Sequence, residues 1–198
     1  MYYDIEIYEG CALIVVDYQK GFILPKLGEL PIDGAEKILN EINSAIDEFR
    51  YNDLPVIFTK DWHPKTHVSF RENGGKWNTH CVADTEGAEL FDKVDFVQGT
   101  DYVILKGQEE NKEEYSGFES LDSDGVSSLY KLLTEFDIDY VFVCGLATDY
   151  CVLKTVLGAL DYGFDVILLK DAIKAVDYPK GSELEAIGKM VKAGAQVI

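Results

Sequence analysis

The histidines of this chain are confined to one short segment. There are three, His63, His67 and His80, and all of them lie between Asp61 and Cys81. One aspartate with two or three imidazoles suits a borderline divalent cation and leaves coordination positions open for water or substrate. A structural zinc site would instead favour closed coordination by several cysteines, and Cys81 is the only cysteine in this segment. The segment therefore predicts a metal site with open positions.

A second candidate centre is Cys151, which follows a predicted strand. Gly145 permits a tight turn before it, and Thr148 or Asp149 can cap the helix that begins next. In the first turn of a helix, the positive end of the dipole and the free amide groups favour a thiolate. The pattern predicts a nucleophilic cysteine, although a cysteine packed inside a helix explains the position alone equally well.

Two charged residues end predicted strands that are otherwise apolar, Asp17 and Lys106. A lysine ammonium near Cys151 would lower the pKa of the thiol further. The aspartate could accept the thiol proton and later return one to a leaving amine. Because a charge at a strand end is often only solvated, this prediction depends on both residues reaching the same place as Cys151.

Strands and helices alternate along the chain. Apolar runs rich in valine and isoleucine predict buried strands at residues 11–16, 54–59, 102–105, 140–143, 165–169 and, at the end of the chain, 196–198. Apolar residues with helical spacing fall at residues 38–49, 129–136, 152–160 and 184–191. This alternation predicts a three-layer α/β/α sandwich with a mainly parallel central sheet.

The sheet explains how distant polar residues could meet. Ligands bind beyond the carboxyl ends of parallel strands, so Asp17, Asp61, Lys106 and the segment 145–151 are expected on one rim. No repeat, low-complexity tract or linker interrupts the sequence. Residues 1–198 are therefore expected to form a single domain.

Composition restricts the partners and the compartment. The net charge of −18 argues against nucleic acid, whose phosphates would be repelled. No apolar run approaches the roughly 20 residues of a membrane helix, and the N-terminus lacks a signal peptide pattern. We expect a cytoplasmic protein without membrane partners. In a reducing cytoplasm its four cysteines, Cys11, Cys81, Cys144 and Cys151, are expected to be free thiols.

Together, the motifs resemble the nicotinamidase/pyrazinamidase branch of the isochorismatase-like cysteine hydrolases, from Ala12 to the tail. The matching segments are LIVVDYQ from Leu13, DWHPKTHVSF from Asp61, WNTHCV from Trp77, KG from Lys106, YSGF from Tyr115 and GLATDYCV from Gly145. Their order and spacing are jointly specific. The metal motif in particular favours the nicotinamidase branch.

The resemblance implies an enzyme that hydrolyses nicotinamide to nicotinate and ammonia through a thioester, within NAD salvage. It implies Cys151 as nucleophile, Asp17 as general base and acid, and Lys106 as the third member of the triad. It also implies a cis peptide between Leu146 and Ala147, with the amides of Ala147 and Cys151 as the oxyanion hole.

The same resemblance implies a divalent ion on Asp61, His63 and His80. Zinc is the expected ion, with iron or manganese as alternatives, and His67 is either a fourth ligand or a residue behind the ligands. The residues implied to bind the substrate are Phe22, Trp77, Leu146 and Ala147, of which Phe22 and Trp77 match the positions that sandwich the pyridine ring.

Two departures from the family pattern affect supporting residues. The first motif reads Asp17-Tyr-Gln-Lys-Gly-Phe22 where Asp-x-Gln-Asn-Asp-Phe is common, and Asn78-Thr79 replaces a Pro-x pair before His80. One alternative is a related amidase that acts on an N-carbamoyl or ureido substrate without needing the metal. Another is a non-catalytic metal-binding protein of the same fold. The predicted partner is a small molecule, and homo-oligomerisation stays open.

Overall fold

The computed structural model describes residues 7–198, in which six strands form one sheet. The strands are β1 Cys11–Val16, β2 Val56–Asp61, β3 Tyr102–Lys106, β4 Tyr140–Leu146, β5 Asp165–Lys174 and β6 Gln196–Val197. Their order across the sheet is β3-β2-β1-β4-β5-β6, and every neighbouring pair is parallel. The sequence predicts a mainly parallel sheet, and within residues 7–198 the sheet is parallel throughout.

Five α-helices accompany the strands in this part of the chain. They are α1 Lys20–Ile23, α2 Leu39–Tyr51, α3 Ser128–Glu135, α4 Leu153–Asp161 and α5 Ser182–Ala193. Shorter 3-10 turns occupy Pro25–Leu27, Ala35–Ile38, Arg71–Asn73, Glu86–Ala88 and Gly117–Glu119, and a π-helical turn occupies Thr148–Val152. The four predicted helices are present, whereas α1 was missed because four residues show no periodicity. None of the helices in residues 7–198 is long and apolar enough to cross a bilayer.

Side chains of the central strand alternate between two hydrophobic cores. Leu13 and Val15 belong to the core that contains α2, while Ile14 and Val16 belong to the core that contains α3, α4 and α5. Every residue of β1 is buried, as expected of a strand covered by helices on both faces. The three-layer α/β/α sandwich is therefore confirmed.

The strands end later in the chain than predicted at the rim where the site lies. β2 includes Lys60 and Asp61, β3 includes Lys106, and β4 continues through Gly145 to Leu146. The sequence analysis placed these residues after the strands because polar residues and glycine interrupt the apolar runs. They extend the sheet because their backbones still pair with a neighbour, as Asp61 does with Lys106 and Gly145 with Val16.

Gly145 allows β1 and β4 to pack at close range. It has a φ of +106°, and a Cβ at this position would lie 2.1 Å from the backbone oxygen of Val16. Gly163 has a similar φ of +93°, but nothing lies within 4 Å of its missing Cβ. Alanine substitutions at Gly145 and Gly163 therefore separate the effect of backbone strain from the effect of crowding.

We expect Gly145→Ala to lower the free energy of unfolding by about 3 kcal/mol or more, because strain and overpacking of the central strands add. Gly163→Ala should cost only about 1–2 kcal/mol, the strain of the left-handed backbone alone. Urea unfolding of the two variants and the wild type measures the difference. Equal losses in both variants would contradict a packing role for Gly145.

Candidate active site

Lys106 is fully buried, and its ammonium contacts three other groups of the rim. Its Nζ lies 2.8 Å from Asp17 Oδ2 and 3.4 Å from Cys151 Sγ, and it also donates to Asp61 Oδ1. Burial opposes the charged form, but the two carboxylates outweigh it and raise the pKa of Lys106 well above its ordinary value. The residue is therefore a permanent positive charge.

Asp17 lies beside both the ammonium and the thiol, with a carboxylate oxygen within 4.8 Å of Cys151 Sγ. Thr59 Oγ1 donates to its Oδ1 at 2.6 Å, and its backbone adopts a left-handed φ of +46° directly after β1. Burial and the charge of Asp61 raise the pKa of Asp17, while Lys106 and Thr59 oppose the shift. A carboxyl group with a raised pKa can both accept and return a proton.

Cys151 lies in the π-helical turn Thr148–Val152 with only 7% of its surface exposed. Burial raises the pKa of its thiol well above the ordinary value; Lys106 opposes this rise, and the carboxylates of Asp17 and Asp61 add to it. The expectation of a lowered thiol pKa was therefore wrong. One nearby cation cannot offset the loss of water and two nearby anions. A raised pKa favours the protonated thiol, which then needs a base, and Asp17 can be that base.

Thr148 and Asp149 were expected as helix caps, but neither side chain caps the helical turn that carries Cys151. The π-helical turn begins after Ala147 without a side-chain cap. Asp149 instead accepts hydrogen bonds from the amides of Val176 and Asp177, both at 3.0 Å. It thereby ties the segment after β5 to the segment that carries the nucleophile.

Asp61, His63 and His80 form a buried cluster whose ligand atoms lie within 4.8 Å of one another. His63 Nδ1 is 2.9 Å from the carbonyl oxygen of Gly107, and His80 Nδ1 is 2.7 Å from that of Asn78. Because a carbonyl only accepts, each Nδ1 carries the proton, and each Nε2 lone pair is free. The two Nε2 atoms lie 3.6 and 4.0 Å from Asp61 Oδ2.

This donor set fits a divalent metal. Two imidazole nitrogens and one carboxylate oxygen are usual ligands for zinc, iron or manganese. Burial lowers the pKa of His80 to about 4, which keeps it neutral as a ligand must be. Asp61 raises the pKa of His63 against the effect of burial, so an ion there competes with a proton.

His67 lies behind the cluster. Its ring stacks on that of His63 with the centroids 4.2 Å apart. Its Nδ1 lies 2.7 Å from Ser69 Oγ, and its Nε2 lies 3.0 Å from the carbonyl oxygen of Lys112. Both ring nitrogens are thus engaged away from Asp61. This placement favours a supporting role over that of a fourth ligand.

Gln19 holds the cluster to the first strand, a role that the sequence analysis did not assign. Its Nε2 donates to the carbonyl oxygens of Asp61 and Ala88, and its Oε1 accepts from the amide of Asp61, at 2.8–3.0 Å. It was quoted among the matching motifs, and its fixed position two residues after Asp17 was the available signal. A buried amide that pairs with both backbone groups of Asp61 restricts that residue without touching its side chain.

The reactive groups open on a small cavity of about 40 Å³. Its wall includes Asp17, Asp61, His80 and Cys151, together with the four residues expected to contact a substrate, Phe22, Trp77, Leu146 and Ala147. The cis peptide expected between Leu146 and Ala147 is present. Five further lining residues were not predicted, because no strand end or helical period shows that their side chains face the site: Leu30, Ile32, Tyr115, Tyr150 and Val176.

Comparison with known proteins agrees with this geometry. The isochorismatase domain model matches residues 11–198. The nicotinamidase of Acinetobacter baylyi is 35% identical over 208 residues, which cover 96% of this chain and 92% of the relative.

Two crystal structures share both the fold and much of the sequence. The pyrazinamidase of Pyrococcus horikoshii, solved in complex with zinc, superposes with a TM-score of 0.87 at 40% identity and covers 96% of this chain and 98% of its own. PnC1 from L. infantum, solved in complex with nicotinate, superposes with a TM-score of 0.85 at 35% identity and covers 96% and 92%.

These findings confirm the fold and the resemblance to the nicotinamidase and pyrazinamidase branch. They also confirm that the chain is a hydrolase. The family model spans all six strands and the whole candidate site. The chain belongs to the isochorismatase family.

Proposed function

We propose that this protein is a nicotinamidase, which hydrolyses nicotinamide to nicotinate and ammonia with Cys151 as its nucleophile. One observation carries the proposal: the thiol, the Asp17 carboxyl group and two of the three candidate metal ligands, Asp61 and His80, line one cavity, whose wall also contains four aromatic rings. The similarity to nicotinamidases supports this substrate. Nicotinate formed in the cytoplasm would enter NAD salvage.

The reaction follows from the positions of the triad. Asp17 accepts the thiol proton as Cys151 Sγ attacks the carboxamide carbon, and the same proton then leaves with ammonia. Water, deprotonated by Asp17, cleaves the thioester and releases nicotinate and the free thiol. Lys106 stays protonated throughout and stabilises the anionic forms of Asp17 and Cys151.

The amides of Ala147 and Cys151 would donate to the oxyanion of each tetrahedral intermediate. The amides of Tyr150 and Val152 both donate to the carbonyl of Ala147, which fixes the turn around Cys151. A preorganised donor of this kind contributes about 3–4 kcal/mol to the lowering of the barrier.

Asp61, His63 and His80 would hold the divalent ion, for which zinc is the first candidate. A bound ion supplies a coordination position for the pyridine nitrogen and thereby orients the ring. Phe22 and Trp77 would contact the faces of the ring from the cavity wall.

A related amidase for N-carbamoyl or ureido substrates is the competing function. Such an enzyme needs the triad but has no use for two imidazole Nε2 atoms that face a buried carboxylate. The inward Nε2 atoms of His63 and His80 therefore favour the nicotinamidase.

We expect the purified protein to release ammonia from nicotinamide, and faster than from an N-carbamoyl amino acid. Cys151→Ala should lower turnover at least about 10³-fold, because the covalent route is lost. Cys144→Ala, which removes a buried thiol that does not line the cavity, is the matched control and should retain activity. A coupled ammonia assay measures all three proteins. Turnover within tenfold of wild type in Cys151→Ala would exclude the covalent mechanism.

We expect about one transition-metal ion per chain, and chelation should remove both the ion and the activity until metal is added back. His80→Ala should lose the ion. His67→Ala should bind it about 10- to 100-fold more weakly, the usual effect of losing a supporting residue, yet recover at excess metal. Elemental analysis and chelator competition give these values. Stoichiometric metal in His80→Ala, or a folded His67→Ala that no metal concentration loads, would refute the respective assignments.

Gly107 makes room for a metal ligand. A Cβ there would lie 2.3 Å from His63 Cε1, and φ is +67°. We expect Gly107→Ala to displace the His63 ring and weaken metal binding at least about tenfold, as removing a ligand's hydrogen-bond partner does. Gly99→Ala, with a φ of +87° and nothing within 4 Å, is the matched control for backbone strain. Metal affinity by chelator competition should change only in Gly107→Ala; equal affinities in both variants would contradict this account.

A further inference from the structure

Lys76 places its ammonium over three aromatic rings beside the cavity. Its Nζ lies 4.9 Å from the ring centroid of Trp77, 5.2 Å from that of Tyr150 and 5.5 Å from that of Tyr115. A cation within about 6 Å of an aromatic ring centroid is attracted to the ring face. Trp77, Tyr115 and Tyr150 therefore form an aromatic cage for a cation, and the chain's own lysine occupies it.

The aromatic cage is also part of the cavity wall. All three rings line the cavity that contains Cys151, and all three are half-buried, whereas Lys76 is exposed. The lysine thus lies where the cavity wall meets solvent. A ligand that approaches past these rings encounters a positive charge.

Contacts among the rings hold the cage together without the lysine. Trp77 Nε1 donates to Tyr115 Oη at 3.1 Å, and Tyr115 Oη donates to Glu113 Oε1 at 3.1 Å. The rings of Trp77 and Tyr150 meet edge to face with their centroids 4.9 Å apart. An aromatic cage of this kind should persist when its internal cation is removed.

The loop around Lys76 is held by its backbone. The carbonyl oxygen of Lys76 accepts from Arg71 Nε at 3.1 Å, and the amide of Trp77 donates to the carbonyl oxygen of Ser69 at 3.0 Å. The exposed side chain of Lys76 can therefore be replaced without removing the hydrogen bonds that shape the loop.

We propose that Lys76 determines specificity by excluding cationic pyridinium compounds from the cavity. Pyridine carboxamides fall into two charge classes: neutral when the ring nitrogen is free, and permanently cationic when it carries a carbon substituent. A protein with a net charge of −18 and an open aromatic cage at the cavity wall would attract the cationic class. With Lys76 in the aromatic cage, a cationic ligand is repelled by the positive charge of the ammonium, whereas a neutral ligand is not.

The inference rests on the proposed function only in treating the cavity as the pyridine carboxamide pocket. It is tested by binding, which needs no turnover. The probe is the 1-methylnicotinamide cation, titrated by calorimetry into the full-length wild type, Lys76→Ser, Lys76→Arg and Lys65→Ser. Lys65 is exposed on the preceding loop, so Lys65→Ser removes the same charge outside the aromatic cage.

Lys76→Ser should bind the cation at least about tenfold more tightly than the wild type, since a vacated cage gains cation–π contacts and loses a like charge. Lys76→Arg and Lys65→Ser should match the wild type. A Tyr150→Leu substitution added to Lys76→Ser should abolish the gain. The affinity for neutral nicotinamide should stay within about twofold in Lys76→Ser, because a neutral ligand has no net charge for the ammonium to repel.

An unchanged affinity for the cation in Lys76→Ser overturns the inference. An equal gain in cation affinity in Lys65→Ser would show a general effect of net charge and would also overturn it. The same holds if the gain in Lys76→Ser persists after Tyr150→Leu is added. A parallel tenfold change in nicotinamide affinity would show that Lys76 gates every ligand and would also overturn it. If the cation result is as expected and no ammonia is released from nicotinamide, the proposed function fails and the selectivity of the cavity stands.

Discussion

The ammonium of Lys106 has no access to water, and this constraint organises the site. A buried cation is tolerated only where anions and hydrogen-bond acceptors surround it. Here these groups are Asp17 after β1, Asp61 at the end of β2 and Cys151 beyond β4. Removal of one partner of such a buried set typically costs about 3–5 kcal/mol, because the remaining charges are left uncompensated. The charges that equip the site for chemistry therefore also hold its three segments at fixed distances.

Asp61 belongs to both halves of the site. One of its carboxylate oxygens accepts from Lys106, and the other faces the Nε2 atoms of His63 and His80. Burial alone would raise the pKa of Asp61, but Lys106, His63 and His80 outweigh it and hold this pKa well below its ordinary value. Gln19 fixes its backbone from the first strand. The nucleophile and the ligand cluster consequently share one rigid carboxylate and cannot shift independently, which suits a reaction in which the ring and the carboxamide must be held together.

Much of this arrangement could be predicted from sequence because it depends on patterns. The bounds of β1 agree with its apolar run, and the rule that parallel strands present their carboxyl ends on one rim brought Asp17, Asp61, Lys106 and Cys151 together correctly. Those signals are local or topological.

Other properties could not be predicted because they depend on what surrounds a group in space. The protonated state of Cys151 reflects burial and two carboxylates whose distances no motif encodes. Tyr115 comes from a loop and Tyr150 from the short π-helical turn, and no hydrophobic period in the sequence shows which way either side chain faces. His67 sits at ligand-like spacing, yet Ser69 and the Lys112 carbonyl engage its ring nitrogens. In each case the contacts of the folded protein override the composition of the segment.

The strand order also governs when a growing chain can become active. β1 lies between β2 and β4 and is synthesised before both of them. Cys11 at the start of β1 can pair with its partner, Tyr140 of β4, only after 129 further residues have been added. Until β4 has been synthesised, an apolar strand has one unpaired edge, which is the kind of surface that leads nascent chains to aggregate. Such distant pairing also slows folding, because the loop must close before the contacts form. The stage at which this architecture is most prone to aggregation is therefore synthesis, before β4 has paired with β1, and not the finished sheet.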